Sequence, residues 1–231
     1  TYAFLKNWLP RYNIEVSFVN ITNLEEVKNA IRPNTRVIYT ESVTNPLLQV
    51  SNVPELAQIA RNAGAKLMVD NTFSPMIFSP AMLDADIVVY SMTKFINGKN
   101  DCVAGAICGS NEFIRHLSDV NNGTAMLLGP VLDPIRSSSI LKNLNTLHLR
   151  MKQHSRNALF LSENLEKIGL KVIYPGLKSH PQNRLHQSLM NEEYGFGGMF
   201  AIDFGTMENA YRIMQSMQNA DVGYLAVSLG Y

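Results

Sequence analysis

The sequence contains no run of five or six like charges, and its lysines and arginines are scattered. Nothing in it therefore marks a basic tract for nucleic acid or a charged patch for a membrane surface. Twenty Lys and Arg against nineteen Asp and Glu leave a formal net charge of +1, so no global field steers the chain to a polyanion. Nucleic acid and membrane are accordingly not expected as partners. Long apolar runs are missing too, and none approaches the roughly 20 residues of a membrane span. The opening Thr1-Tyr2-Ala3-Phe4-Leu5-Lys6 has neither the basic n-region nor the cleavage site of a signal peptide. Cysteine is nearly absent. Cys102 and Cys108 cannot build a disulfide framework for a chain of 231 residues, and a reducing cytoplasm is the expected setting. They lie six apart in an apolar run, so an extended strand puts both on one face as free thiols serving as small core hydrophobes. The five histidines (His116, His148, His154, His180, His186) form no i, i+4 pair and join no Cys or Asp cluster, which excludes a metal site of ordinary spacing. Internal repeats and low-complexity linkers are also lacking.

What the sequence does have is an ordinary globular balance. Hydrophobic residues make up 46% and charged residues 17%, enough for a sizeable core in one or two domains. Residues 14–19 are rich in apolar, β-branched and aromatic types and read as a strand. Residues 24–31 follow at helical spacing, with Asn23 as N-cap and Glu25 and Glu26 in the first turn, where they suit the helix dipole. Residues 36–39 are the next strand. Residues 53–63 place Leu56, Ile59 and Ala60 on one helical face, and Gly64 is a natural stop. The short apolar runs 66–69, 86–90 and 103–108 suit strands buried on both faces of a parallel or mixed sheet. A mostly helical stretch covers 134–167. Strands at 171–174 and 199–204, a helix at 208–218 and a last strand at 225–228 complete the pattern. Alternation of this kind predicts an α/β fold. The chain divides into a large domain, 1–150, and the start of a smaller α+β domain, 151–231. It has no initiator methionine, and both ends read as cut.

Three strand ends carry polar clusters: Glu41-Ser42-Val43-Thr44-Asn45-Pro46, Asp70-Asn71-Thr72, and Ser91-Met92-Thr93-Lys94. In open α/β sheets ligands collect at the C-terminal ends of strands, so parallel strands gather these clusters along one edge. A lysine that forms a Schiff base must be desolvated or electrostatically tuned. Lys94 closely follows an apolar strand, Ser91 and Thr93 could face a phosphate, and Gly98 lets the chain turn nearby. An exposed surface lysine fits the same residues, and that alternative stays open at this point. Asp70 ends an apolar strand, where an unpartnered carboxylate is costly. A protonated pyridine nitrogen is one suitable partner, and an Asx-turn aspartate is the ordinary alternative.

These segments, taken with Leu147-His148-Leu149-Arg150-Met151, Tyr174-Pro175-Gly176-Leu177, His180-Pro181-Gln182 and Ala226-Val227-Ser228-Leu229-Gly230, resemble the Cys/Met-metabolism family of pyridoxal 5'-phosphate enzymes. The resemblance implies the fold of the PLP-dependent transferases (aspartate-aminotransferase type), with a mixed, mostly parallel sheet in the large domain. It implies that Lys94 holds the cofactor and moves protons, that Asp70 pairs with the pyridine nitrogen, and that Ser91 and Thr93 hold the phosphate. Asn45 is implied at the ring hydroxyl or the substrate carboxylate, Thr72 near the ring face, and Ser228 in the substrate-carboxylate region. Met126-Leu127-Leu128-Gly129-Pro130, residues 191–198 and the ending Ser228-Leu229-Gly230-Tyr231 look most like the plant-type methionine γ-lyases of that family. Asn97-Gly98-Lys99-Asn100-Asp101 departs from the family's common Gly-His pattern after the lysine.

The implied reaction is γ-elimination, taking L-methionine to methanethiol, 2-oxobutanoate and ammonia. γ-Replacement, as in cystathionine γ-synthase or O-acetylhomoserine sulfhydrylase, and cystathionine γ-lyase activity are alternatives. A non-catalytic subunit and a nicotinamide-dependent oxidoreductase are more distant ones. The family completes its sites across a subunit interface, so a homo-oligomer (dimer or tetramer) is implied. Its N-terminal phosphate-binding glycine, its ring-stacking tyrosine and its C-terminal substrate arginine have no counterpart in these residues, so the piece alone is expected to be inactive. Gly195, Gly197 and Gly198 precede a strand rather than a helix and read as a turn, not a nucleotide loop. The eleven methionines read as gap-filling core, and Trp8 as core or interface packing.

Overall fold

The computed structural model describes residues 1–223, so Ser228 and the strand expected at 225–228 lie outside the described residues. Helix α1 (Leu24–Ala30) begins where the Asn23 side chain accepts the Glu26 backbone N–H at 3.2 Å. That bond satisfies one of the donors a helix start leaves orphaned. Strand β1 (Val37–Glu41) leads through a loop to helix α2 (Val53–Asn62). In α2, Val53, Leu56, Ala57 and Ala60 recur at i, i+3, i+4 and i+7 and are buried along one stripe. The helix ends at Gly64 with φ +66°, a left-handed conformation that costs glycine little. There the Gly64 N–H bonds the Arg61 carbonyl at 3.1 Å and the Ala65 N–H bonds the Ala60 carbonyl at 2.9 Å. This paired arrangement closes the last turn and turns the chain directly into β2 (Lys66–Asp70).

Strands β3 (Ile87–Ser91) and β4 (Gly105–Gly109) complete a four-stranded sheet of order β1-β2-β3-β4. The first three strands run parallel, and β4 is antiparallel to β3. Helices α1 and α2 cover one face, where Val27, Leu56, Leu67 and Val69 belong to one buried cluster. Each such aliphatic side chain contributes about 1.5–3 kcal/mol on burial, so this layer anchors the first half. Helices α3 (Asn111–Leu117), α4 (Thr124–Leu128), α5 (Pro134–Leu144) and α6 (Leu147–Lys167) follow. Strands β5 (Lys171–Ile173) and β6 (Ala201–Asp203) form a separate antiparallel pair, with α7 (Asn183–Leu189) between them and α8 (Met207–Asn219) after them. A second cluster, including Val50, Ile77, Phe78, Leu147 and Met151, packs the start of α6 against the loops that follow β1 and β2.

Several expectations need correction. Residues 14–19 form no strand, since nothing pairs with them among the described residues; Ile14 and Phe18 stay exposed while Val19 leans on the first core. Burial on both faces holds only at the start of β3, where the consecutive Ile87 and Val88 are both buried. Burial alternates along β1 and β2, and β4, an edge strand, is largely exposed. The cysteines are not core hydrophobes: Cys108 is exposed on that edge, and Cys102 precedes the strand, so the shared-face premise fails. Met151 is fully buried, but Met82 and Met207 are exposed. Trp8 is 44% exposed and carries the Arg11 guanidinium over its ring at 4.8 Å.

Candidate active site at the strand ends

Parallel register brings the three polar clusters to one edge. Glu41 pairs with Asp70 across β1 and β2, and Asp70 pairs with Val89 across β2 and β3. The chain continues this alignment past the strands, with Ser42 N–H donating to the Asp70 carbonyl and Asn71 N–H to the Val89 carbonyl, both at 2.9 Å. The Asp70 side chain is then held on both oxygens. Oδ1 accepts the Thr72 backbone N–H at 2.9 Å, and Oδ2 accepts the Tyr39 hydroxyl at 3.2 Å. The first of these bonds is the Asx-turn geometry, so the turn alternative holds for Asp70. Each oxygen keeps a second lone pair for a further donor.

Thr72 links the second cluster to the third, its hydroxyl accepting the Ser91 backbone N–H at 2.8 Å. The chain then folds into a compact turn, in which Lys94 N–H bonds the Ser91 carbonyl at 3.2 Å, Asn97 N–H the Met92 carbonyl at 2.9 Å, and Gly98 N–H the Lys94 carbonyl at 2.8 Å. Lys94 is partly buried there. Thr93 is buried, and its hydroxyl both donates to the Ala104 carbonyl at 3.2 Å and accepts the Ala104 N–H at 2.9 Å. A phosphate oxygen would have to draw that hydroxyl proton away from Ala104. Asn45 is exposed, and its backbone N–H donates to Glu41 Oε2 at 2.8 Å.

Burial raises the Glu41 carboxyl above its ordinary value; the Asn45 N–H opposes this, and the Asp70 carboxylate adds to it. Burial also raises the Tyr39 hydroxyl, with Asp70 reinforcing the rise. Tyr39 therefore keeps its proton and donates a hydrogen bond to Asp70.

Asp70, Thr72, Ser91 and Lys94 are thus gathered by direct bonds and adjacent register, Asn45 is tied to the same edge through Glu41, and Ser228 lies outside the described residues. Sequence reasoning missed Tyr39 as an Asp70 partner. The signal was available, since residues 39 and 41 share a face at strand period and register sets Glu41 beside Asp70. It also missed Asn71, fully buried with its amide donating to the Ser74 and Phe78 carbonyls at 3.2 and 3.0 Å. Asn71 Oδ1 and Ser42 Oγ, both buried at this edge, lack hydrogen-bond partners among the described residues.

The donor set fits a phosphorylated pyridine aldehyde. It offers a carboxylate for a ring nitrogen, hydroxyl groups beside the lysine turn for phosphate, an amide for a phenolic oxygen and a primary amine for the aldehyde. Two concave regions lie elsewhere, one beside Lys171, Asp203 and Arg212 and one around His180 and Gln182. Among the described residues no group of three or more His, Cys, Asp or Glu is placed to hold a metal, and no helix is long and apolar enough to cross a membrane.

A model of the Cys/Met metabolism PLP-dependent enzyme family matches residues 1–231. The chain belongs to this family. The family's cofactor is pyridoxal 5'-phosphate, in agreement with the donor set. The chain is similar to a methionine γ-lyase of Arabidopsis thaliana, 46% identical over 234 aligned positions that cover 100% of this chain and 53% of that protein. It is 38% identical to a cystathionine γ-lyase of Dictyostelium discoideum, covering 95% of this chain and 55% of the relative. The crystal structure of metB from Corynebacterium glutamicum superposes with a TM-score of 0.89 at 32% identity, covering 99% of this chain and 58% of that one. The α/β fold expected from the family resemblance, with its mixed, mostly parallel sheet, is therefore the one observed. The chain spans just over half the length of the relatives it matches.

Proposed function

We propose that the protein carrying this chain catalyses PLP-dependent γ-elimination on sulfur amino acids, with L-methionine as substrate and methanethiol, 2-oxobutanoate and ammonia as products. The observation that carries this reading is the Thr72–Ser91 bond, which ties the Asp70 turn to the strand that leads into Lys94. It sets a carboxylate and a primary amine on adjacent strand ends, the pair that this chemistry requires. The similarity to proteins named methionine γ-lyase and cystathionine γ-lyase supports γ-elimination, with cystathionine as the second candidate substrate.

The cofactor, when bound, supplies an electron sink next to the substrate's Cα. Asp70 holds a proton on the pyridine nitrogen through a lone pair left free by Thr72 and Tyr39. Ser91 and Thr93, with backbone N–H groups of the lysine turn, bind the phosphate. Asn45 orients the ring hydroxyl or the substrate carboxylate, Thr72 lies against the ring, and Ser228 belongs to the carboxylate region. Lys94 Nζ would hold the cofactor through its primary amine and, when free, would take the Cα proton. The two-part organisation belongs to the same reading, with 1–150 binding the cofactor, 151–231 beginning the second domain and α6 joining them. Met126, Leu127, Leu128, Val131 and Ile135 are exposed, and their run suits burial against a second copy of the chain in a dimer or tetramer. The cytoplasm is the matching location.

The test uses the full-length protein loaded with pyridoxal 5'-phosphate and supplied with L-methionine. Release of 2-oxobutanoate and methanethiol, absent in Lys94→Ala, is the expected result. Product formed only from cystathionine, or only from an activated homoserine ester plus a thiol, overturns the substrate or replaces elimination with replacement.

A further inference from the structure

Arg150 belongs to a segment quoted for its resemblance and given no task by the reaction. It stands in the first turn of α6, yet its guanidinium reaches back to the lysine turn. Nη1 donates to the Phe95 carbonyl, and Nη2 donates to the Ile96 carbonyl at 3.0 Å and the Asn143 carbonyl at 3.2 Å. Nε donates to Thr146 Oγ1 at 3.2 Å. Phe95 and Ile96 are the two residues directly after Lys94. The turn ends as a short helix does, with carbonyls that no later N–H satisfies among the described residues, and a planar cationic fork is the side chain best shaped to take several at once.

Two neighbouring features fit this grip. Gly98 approaches so closely that a Cβ there would stand 2.4 Å from Nη1 and 2.8 Å from Cζ of Arg150. Only glycine leaves room for the guanidinium, and its φ of +66° favours glycine as well. Asn143, whose carbonyl Arg150 holds, donates its side-chain amide to Asn97 Oδ1 at 2.8 Å, and Asn97 is 1% exposed. The α5–α6 elbow therefore clasps the turn from its far side. Asp101 faces the same network through Asn97, whose amide donates to Oδ1 at 2.8 Å.

We propose that Arg150 is a positioning residue for Lys94: by binding the Phe95 and Ile96 carbonyls over Gly98, it holds the turn that aims the lysine amine into the strand-end site. The inference rests on the reading of Lys94 as the cofactor-holding lysine. It also gives a reason for the glycine at 98 in a loop that departs from the family's pattern.

The experiment uses the full-length protein stripped of cofactor. Pyridoxal 5'-phosphate is added, and capture by Lys94 is followed by borohydride reduction and mass analysis of the labelled peptide. In capture the amine attacks the formyl carbon, a C=N bond forms and the oxygen leaves as water; borohydride then fixes the link. Arg150→Met is expected to slow capture at least tenfold and Arg150→Lys by a smaller factor, because an ammonium cannot span the carbonyls. Amide exchange at Asn97 and Gly98 in the cofactor-free protein should rise in the same order. A lower Tm with capture within twofold of the parent and unchanged exchange assigns Arg150 a merely structural part and overturns the proposal. If Arg150→Met fails to fold, Thr146→Val removes the Nε acceptor together with that hydroxyl's own 3.1 Å bond to the Asn143 carbonyl; two- to threefold slower capture then supports the proposal and an unchanged rate overturns it. Lys94 left unlabelled in the unsubstituted protein defeats the underlying reading, and the inference with it. Labelling that proceeds equally in parent and folded variants defeats the inference alone.

Discussion

At the ends of β1, β2 and β3, polar side chains bind one another and the backbone. Asp70 accepts from Tyr39 and Thr72, Thr72 accepts from Ser91, and each bond leaves some capacity unspent. Around α7 the arrangement is the reverse. His186 is fully buried between the rings of Phe78 and Phe196, at centroid distances of 4.6 and 5.0 Å, and neither ring nitrogen has a hydrogen-bond partner among the described residues. Burial, with His180 adding to it, lowers His186 to about 3, so the imidazole is neutral. The comparison shows that a buried polar group does not by itself mark a site. His186 is tolerated because it sheds its charge, as desolvation dictates. The strand-end groups remain polar because neighbours orient them and leave lone pairs for a further donor.

Four substitutions, all in the full-length protein, can break or sharpen this contrast. Lys94→Ala should have the largest effect, a loss of roughly 10⁴-fold or more in turnover and of all borohydride-trapped cofactor, because the covalent anchor and the proton carrier go together. Residual trapping at another lysine would move the site away from the strand ends. Asp70→Asn should lower kcat about a hundredfold, roughly 2.7 kcal/mol, with a smaller change in KM. Steady-state kinetics beside a cofactor absorbance spectrum checks this, and an unchanged kcat would reduce Asp70 to a turn residue.

His186→Leu tests the other region through stability. A histidine whose folded pKa is depressed contributes stability that is present above its unfolded value, near 6.5, and is lost as pH falls toward about 3. Across that window the parent should lose up to about 1.4 kcal/mol per pH unit from this group. The leucine variant should lack this loss, so its stability relative to the parent should rise by about 2.7 kcal/mol between neutral pH and a pH near 4.5. Urea unfolding at neutral and acid pH measures it, and Glu41 is common to both proteins, so its titration cancels in the difference. Parallel pH profiles would mean that His186 has a partner in solution. Tyr39→Phe should be the mildest, slowing turnover about fivefold, near 1 kcal/mol, by removing one donor from Asp70 while keeping the ring's packing. A Tyr39→Phe effect as large as that of Asp70→Asn would make the hydroxyl a participant in its own right.

Local pattern determined a good deal of this. The Asn23 cap, the i, i+3, i+4, i+7 stripe of α2, the stop at Gly64 and the apolar strands before Asp70 and Lys94 rest on interactions within a few residues, which sequence carries directly. The strand-end clusters were readable for the same reason, since a parallel sheet delivers the ends of its strands to one edge whatever else surrounds it. The strand expected at 14–19 failed because apolar and β-branched residues specify an extended chain but not the neighbour it must pair with. Burial of Cys108 failed likewise, since being on an edge strand is a property of the sheet and not of the strand. Tyr39 reaching Asp70, Arg150 clasping the turn after Lys94 from 54 and 55 residues away, and His186 between two rings are long-range contacts. Tertiary packing alone decided them, because which distant side chains meet depends on how whole elements stack, and no short window of sequence contains that geometry.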